Sequence, residues 1–79
     1  MKRALITAGG SGIGRAMAAR FDAAGFEVWV TDVDPKVLSD LPQHWHTRHC
    51  DAIDEDAMSA VFNVAGTVDV LCANAGIAG

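Results

Sequence analysis

The residues with the types and spacing to do chemistry are a glycine-rich segment, Thr7-Ala8-Gly9-Gly10-Ser11-Gly12-Ile13-Gly14, and a carboxylate further along, Asp32. A segment of this kind binds anions when it carries a strand into a helix. The first backbone N–H groups of a helix have no intrahelical acceptor, and with the helix dipole they present partial positive charge to a pyrophosphate. Gly12 lets the backbone approach the phosphates with no Cβ in the way, Gly14 lets the helix close on the strand, and Ser11 offers a hydroxyl donor within the turn that Gly9 and Ile13 complete. Asp32 lies roughly 20 residues beyond, where a carboxylate accepts hydrogen bonds from an adenosine ribose 2′-OH and repels a 2′-phosphate. The plainer readings are a tight connection for the glycines and a solvated loop carboxylate for Asp32. A nucleoside-triphosphate loop is a poorer fit, because Gly14 is followed by Arg15 and Ala16 rather than Lys and Ser or Thr.

The elements needed to position these residues are legible as alternating apolar runs and helical stripes. Ala4-Leu5-Ile6 reads as a strand, and Ile13, Met17, Phe21 and Ala24 as the inward stripe of a helix that Gly25 terminates. Glu27 to Thr31 is a second strand, ending beside Asp32. Asp34-Pro35 is an N-cap and first helical residue, with Val37, Leu38 and Leu41 inward before Pro42 stops the segment. His44 to Cys50 is a more polar third strand. Asp54-Glu55-Asp56 then places negative charge at the start of a third helix, with Met58, Val61, Phe62 and Ala65 inward. Gly66 and Thr67 turn the chain into Val68 to Cys72, a run apolar enough for a strand covered on both faces. The resulting β-α-β-α-β-α-β order predicts an α/β fold, the first half of a Rossmann-type doubly wound parallel sheet, with strand order 3-2-1-4. In that fold the glycine turn and Asp32 meet at the carboxyl end of the sheet. Neither Ser11 nor Val33 beside Asp32 supplies the cation a 2′-phosphate wants, so the pattern favours NAD over NADP.

Composition is compatible with this reading. The 79 residues are 51% hydrophobic and 20% charged, which suits one globular unit spanning residues 1–79, although so short a chain buries only about 60% of its unfolded surface. A net charge of -4 with scattered basic residues argues against a nucleic-acid partner. The lack of a long apolar run or a leader-like start argues against a membrane and for a cytoplasmic protein. Cys50 and Cys72 fall on strands three steps apart, about 14 Å against the roughly 6 Å a disulfide needs, so both read as reduced packing residues.

His44, His46, His49 and Cys50 invite a metal reading, since positions 44 and 46 of a strand share a face. Surface histidines guarding an edge strand are the simpler account, and no metal is expected. Trp29 and Trp45 read as packing residues on neighbouring strands.

The sequence resembles the short-chain dehydrogenase/reductase family. Thr7, Gly12 and Gly14 match its Thr-Gly-x-x-x-Gly-x-Gly turn, Asp51-Ala52 its Asp-Val/Ala step after the third strand, and Asn74-Ala75-Gly76 its Asn-Asn-Ala-Gly stretch after the fourth. Two positions depart from the pattern: Ala8 stands at the first motif glycine and Ala73 at the first asparagine. Ala8 therefore stays at negative φ, or Gly9 absorbs the unusual dihedral. The resemblance implies an NAD-dependent oxidoreductase acting on an alcohol or carbonyl substrate, with Asp51 and Ala52 at the adenine, Asn74 bracing the sheet, and Ala75-Gly76 letting the dinucleotide pass close to backbone. It covers the whole sequence and corresponds to the first third of a domain of about 250 residues.

The family's active residues are a serine, a Tyr-x-x-x-Lys pair and a later asparagine. The chain has no tyrosine, and its lysines, Lys2 and Lys36, precede the region of that pair, so no catalytic residue is assigned and the 79 residues alone are expected to be inactive. Two competing readings are a non-catalytic nucleotide-binding or self-associating fragment, and another Rossmann user such as a methyltransferase, which leaves the asparagine segment unexplained. The open fourth strand suggests a homo-oligomer.

Overall fold

The computed structural model describes residues 1–8, 12–51 and 53–73. It contains β1 (Arg3–Thr7), α1 (Gly12–Ala23), β2 (Glu27–Asp32), α2 (Pro35–Ser39), β3 (His46–His49), α3 (Glu55–Ala65) and β4 (Val70–Ala73). The strands form one parallel sheet in the order β3-β2-β1-β4, the partial doubly wound topology predicted from the alternation. Reversal of the strand order after β3 sends the third crossover to the opposite face. Two cores result. Ala4, Ile6, Val28 and Val30 face Ala18, Leu38, Leu41 and Trp45 on one side, and Leu5 and Trp29 face Cys50, Val61 and Ala65 on the other.

Local chemistry fixes the helix starts. Asp34 caps α2 by accepting from the Lys36 amide at 2.9 Å, with Pro35 as first helical residue. Asp54 caps α3 by accepting from the Ala57 amide at 3.1 Å, with Glu55 and Asp56 in the first turn.

Several expectations are corrected. Ile13 is not inward but 75% exposed; α1 meets the sheet through Gly14 and Ala18, small residues that let the helix approach closely, with Phe21 at the flank. Phe62 is likewise on the exposed side of α3, which packs through Val61 and Ala65. The third strand begins at His46 rather than His44, because residues 42–45 form a turn closed by Trp45 N–H donating to the Pro42 carbonyl. The Trp45 indole then turns to the α1 side, where it donates to Asp22 at 3.0 Å, and His44 reaches the same carboxylate. The two tryptophans thus occupy opposite cores. The fourth strand begins at Val70, after Asp69 has accepted from the Arg3 amide at 2.8 Å. It is covered on one face only: Val70 and Cys72 pack half-buried against the α1 and α2 core, while Leu71 is 50% exposed.

Cys50 and Cys72 are free thiols; burial, aided by Asp54 and Asp51 nearby, pushes the Cys50 thiol up from its ordinary range. No described helix is long and apolar enough to cross a membrane.

Candidate functional site

Parallel strands place all their carboxyl ends on one edge of the sheet, and register puts Thr7 opposite Thr31 and Ala73, and Asp32 opposite His49. The first turn of α1, the start of the β2–α2 connection and Asp51 all leave from this edge. At its centre the Thr7 hydroxyl donates to the Cys72 carbonyl at 3.4 Å, tying the ends of β1 and β4.

The glycine turn begins with an unexpected dihedral. Ala8 itself has φ +53°, so the negative φ expected of it is overturned. For an L residue this left-handed conformation costs roughly 1–2 kcal/mol, which explains a preference for glycine at this position in the motif the segment resembles. Gly12 has φ +59°, and a Cβ built there would meet nothing within 4 Å. Backbone conformation rather than packing therefore demands glycine, and the side-chain position stays open. Gly14 is buried in α1, and Ile13 beside it is exposed. Gly9 and Ser11 lie outside the described residues, as do Ala52, Asn74, Ala75 and Gly76.

Asp32 is half-buried at the last position of β2. Its carbonyl accepts from the Cys50 amide at 3.0 Å, extending the ladder to β3, and its Oδ1 accepts from the Asp34 amide at 3.0 Å. A carboxylate has about four lone-pair positions, so the turn bond is compatible with further acceptance by this group. Asp51, exposed after β3, shapes its own turn: Oδ1 accepts from the Ile53 amide at 3.1 Å and its carbonyl from the Asp54 amide at 2.9 Å.

Two residues take a place that the sequence reading did not give them. Ile53, 80% exposed, joins Ile13 in the first turn of α1 and Val33 after β2 (58% exposed) as a large apolar side chain left in solvent at the carboxyl edge. An isoleucine among Asp51, Asp54 and Glu55, in a segment otherwise suited to capping, was the available signal. His49 is the other. Its Nε2 lies 2.8 Å from the Val33 carbonyl, so the last residue of β3 reaches the turn next to Asp32. The histidines do not converge as a metal site: His44 is at Asp22, His46 stacks on Trp29 with ring centroids 4.3 Å apart, and His49 is at Val33. Among the described residues no group of three or more His, Cys, Asp or Glu is arranged to hold a metal ion.

Comparison with known proteins agrees with this geometry. The family model for short chain dehydrogenases matches residues 2–79. The chain is 40% identical to D-xylose 1-dehydrogenase of Caulobacter vibrioides, over 95% of this chain and 33% of that protein. It is 35% identical to zerumbone synthase of Zingiber zerumbet, over 99% and 33%. Among solved structures, a short chain dehydrogenase from Bacillus anthracis superposes with a TM-score of 0.78 at 28% identity, over 94% of this chain and 34% of that one. Aldohexose dehydrogenase of Thermoplasma acidophilum superposes at 0.75 with 30% identity, over 95% and 29%. The chain thus spans about a third of the length of these relatives. Fold, strand order, glycine turn and the family match lead to one assignment: the chain belongs to the short-chain dehydrogenase family.

Proposed function

We propose that the chain is the NAD-binding part of an oxidoreductase that transfers a hydride between NAD(H) and an alcohol or carbonyl substrate. One observation carries the choice of cofactor: Asp32 ends β2 at the carboxyl edge, its backbone fixed by Cys50 and one carboxylate oxygen fixed by the Asp34 amide. Asp32 would accept from the adenosine ribose, and the first turn of α1, with Gly12 at its open position, would receive the pyrophosphate. Ile13, Val33 and Ile53, exposed around the same edge, would gain apolar cover from the adenosine half. Asp51 belongs to this rim, and Gly9, Ser11, Ala52, Asn74, Ala75 and Gly76 are assigned to the cofactor by their place in the motifs. The nicotinamide, when bound, supplies the hydride chemistry. This chain's own contribution is to hold and orient the dinucleotide; none of its 79 residues is the tyrosine that the family resemblance implies for proton transfer. The family's enzymes named above include dehydrogenases of D-xylose and aldohexose, which supports an alcohol or carbonyl substrate class.

A 2′-phosphate would set about two negative charges against Asp32. Each such pair at about 4 Å costs between about 1 and about 4 kcal/mol as the effective dielectric falls from that of water to that of a protein surface. NAD is therefore expected to bind at least tenfold more tightly than NADP in calorimetric titrations, and Asp32→Ala to reduce that preference to about twofold. Equal affinity of the unaltered chain for both cofactors would refute the role of Asp32, and binding of neither would refute the assignment of a cofactor site to these residues.

A further inference from the structure

Beyond the cofactor residues, the last residue of β3 contacts the connection that follows β2. We propose that His49 is a positioning residue for the ribose carboxylate, acting through a single peptide unit; this rests on the reading of Asp32 given above. Val33 C=O and Asp34 N–H belong to one planar peptide group, and the geometry of a trans peptide points them to opposite sides. His49 holds the carbonyl end at 2.8 Å, and Asp32 Oδ1 receives the amide end at 3.0 Å. A carbonyl only accepts, so His49 Nε2 carries the proton and donates. Turning this peptide about its flanking bonds would break both contacts together. The imidazole thereby fixes the direction from which the Asp34 amide meets Asp32, and with it the orientation of the carboxylate.

The surrounding contacts explain why a long-range contact is needed here. The backbone of Asp32 is secured by the ladder through the Cys50 amide, and the start of α2 is secured by Asp34 capping Lys36. The peptide between them lies outside both strand and helix, and Val33 is exposed, so packing does not hold it. His49 stands opposite Asp32 in the sheet register, the place from which a side chain of β3 reaches across to the β2–α2 turn. Its own exposure means that its removal opens no cavity. The substitution His49→Gln would keep an amide donor at a similar reach, whereas His49→Ala would leave none.

The test uses the full chain with His49→Ala and His49→Gln, followed by calorimetry with NAD and NADP, hydrogen exchange at the Asp34 amide, and thermal melting. The expected result is NAD affinity about five- to tenfold weaker in His49→Ala, with restoration to within about twofold in His49→Gln and the same melting midpoint in all three chains. The Asp34 amide is expected to exchange faster in His49→Ala and to regain protection in His49→Gln, a readout that needs no nucleotide. Unchanged NAD affinity in His49→Ala, while the unaltered chain binds, would overturn the positioning role and leave the cofactor reading standing. Unchanged Asp34 exchange would overturn it whether or not nucleotide binds. Loss of NADP affinity alone would overturn it in favour of a direct imidazolium contact with the 2′-phosphate. Failure of the unaltered chain to bind either cofactor would count against the cofactor reading, with the exchange measurement still deciding whether His49 fixes the peptide.

Discussion

Replacing Ala8 with glycine is expected to stabilise the chain, against the usual direction for glycine substitutions. Ala8 has φ +53° at the exit of β1. An L residue in that region carries a penalty of roughly 1–2 kcal/mol from the approach of its Cβ to the neighbouring carbonyl, and glycine carries none. The offsetting cost lies in the unfolded chain, where glycine has more conformations to lose, about 0.4–1 kcal/mol. The difference leaves Ala8→Gly more stable by about 0.5–1 kcal/mol. For a domain of this size each 1 kcal/mol moves the thermal midpoint by about 4–8 °C, so a rise of about 2–8 °C is expected. Ala8→Val supplies the opposite arm, since a β-branched residue tolerates positive φ less well than alanine, and a fall of at least about 1 kcal/mol is expected. Paired urea and thermal melts of the three chains decide the matter. A lower midpoint for Ala8→Gly together with an unchanged one for Ala8→Val would mean that residue 8 sits at negative φ in solution, and the account of the turn would fail.

Gly66 ends α3 with φ +73° and ψ -135°, a region nearly confined to glycine, and a Cβ there would lie 2.9 Å from Arg3 Nη1, which donates to the Ala65 carbonyl. Gly66→Ala is expected to destabilise by about 1–3 kcal/mol in urea melts, and a neutral result would contradict the C-cap geometry. Asp22 is held below the usual carboxylate range by hydrogen bonds from the Trp45 indole and then His44, and Glu27 by the Trp29 indole and then Arg3. Because both values are lowered on folding, their contribution is present above the ordinary carboxylate range and is lost as pH falls through the lowered values. Asp22→Asn and Glu27→Gln are expected to lower the urea midpoint at neutral pH and to converge with the unaltered chain in acid; a gap that persists in acid would show that packing, not ionisation, is responsible.

How much of this was legible in the residues depended on whether the cause was local. Strand and helix order followed from the spacing of apolar side chains, and the caps at Asp34 and Asp54 followed from one residue type at one position, because each is settled within a turn of chain. The strand order followed from the handedness of crossovers, which does not depend on side-chain detail. The start of β3 was misread because Trp45 and His44 serve Asp22, a partner 22 or 23 residues away that no periodicity announces. The inward face of α1 was legible in part: Gly14, expected to let the helix close on the strand, is buried with Ala18, but the apolar stripe does not mark the seam, because close approach of helix to sheet selects for small size and leaves Ile13 in solvent.

Features that local pattern does not explain are distributed unevenly over the fold. At the amino-terminal edge and the flanks, several side chains and dihedrals meet structural partners: Asp69 accepts from the Arg3 amide, the Trp45 indole donates to Asp22, and the positive φ of Gly66 serves a helix C-cap. At the carboxyl-terminal edge such features are costs. Ala8 sits at positive φ, and Ile13 in the first turn of α1, Val33 after β2 and Ile53 after β3 expose apolar surface. Selection for stability alone would remove these, with glycine at residue 8 and polar residues at the other three positions. Among the described residues Phe62, Val64 and Leu71 are exposed elsewhere, but Ile53 and Ile13, the most exposed large apolar side chains after Met1, stand with Val33 where the strands end, around Asp32, as expected when one edge of a fold is shaped by something it binds. Under the proposed function, a nucleotide laid along that edge would cover these aliphatic side chains and meet the Asp32 carboxylate, so that costs carried by the chain alone would become complementary contacts in the complex.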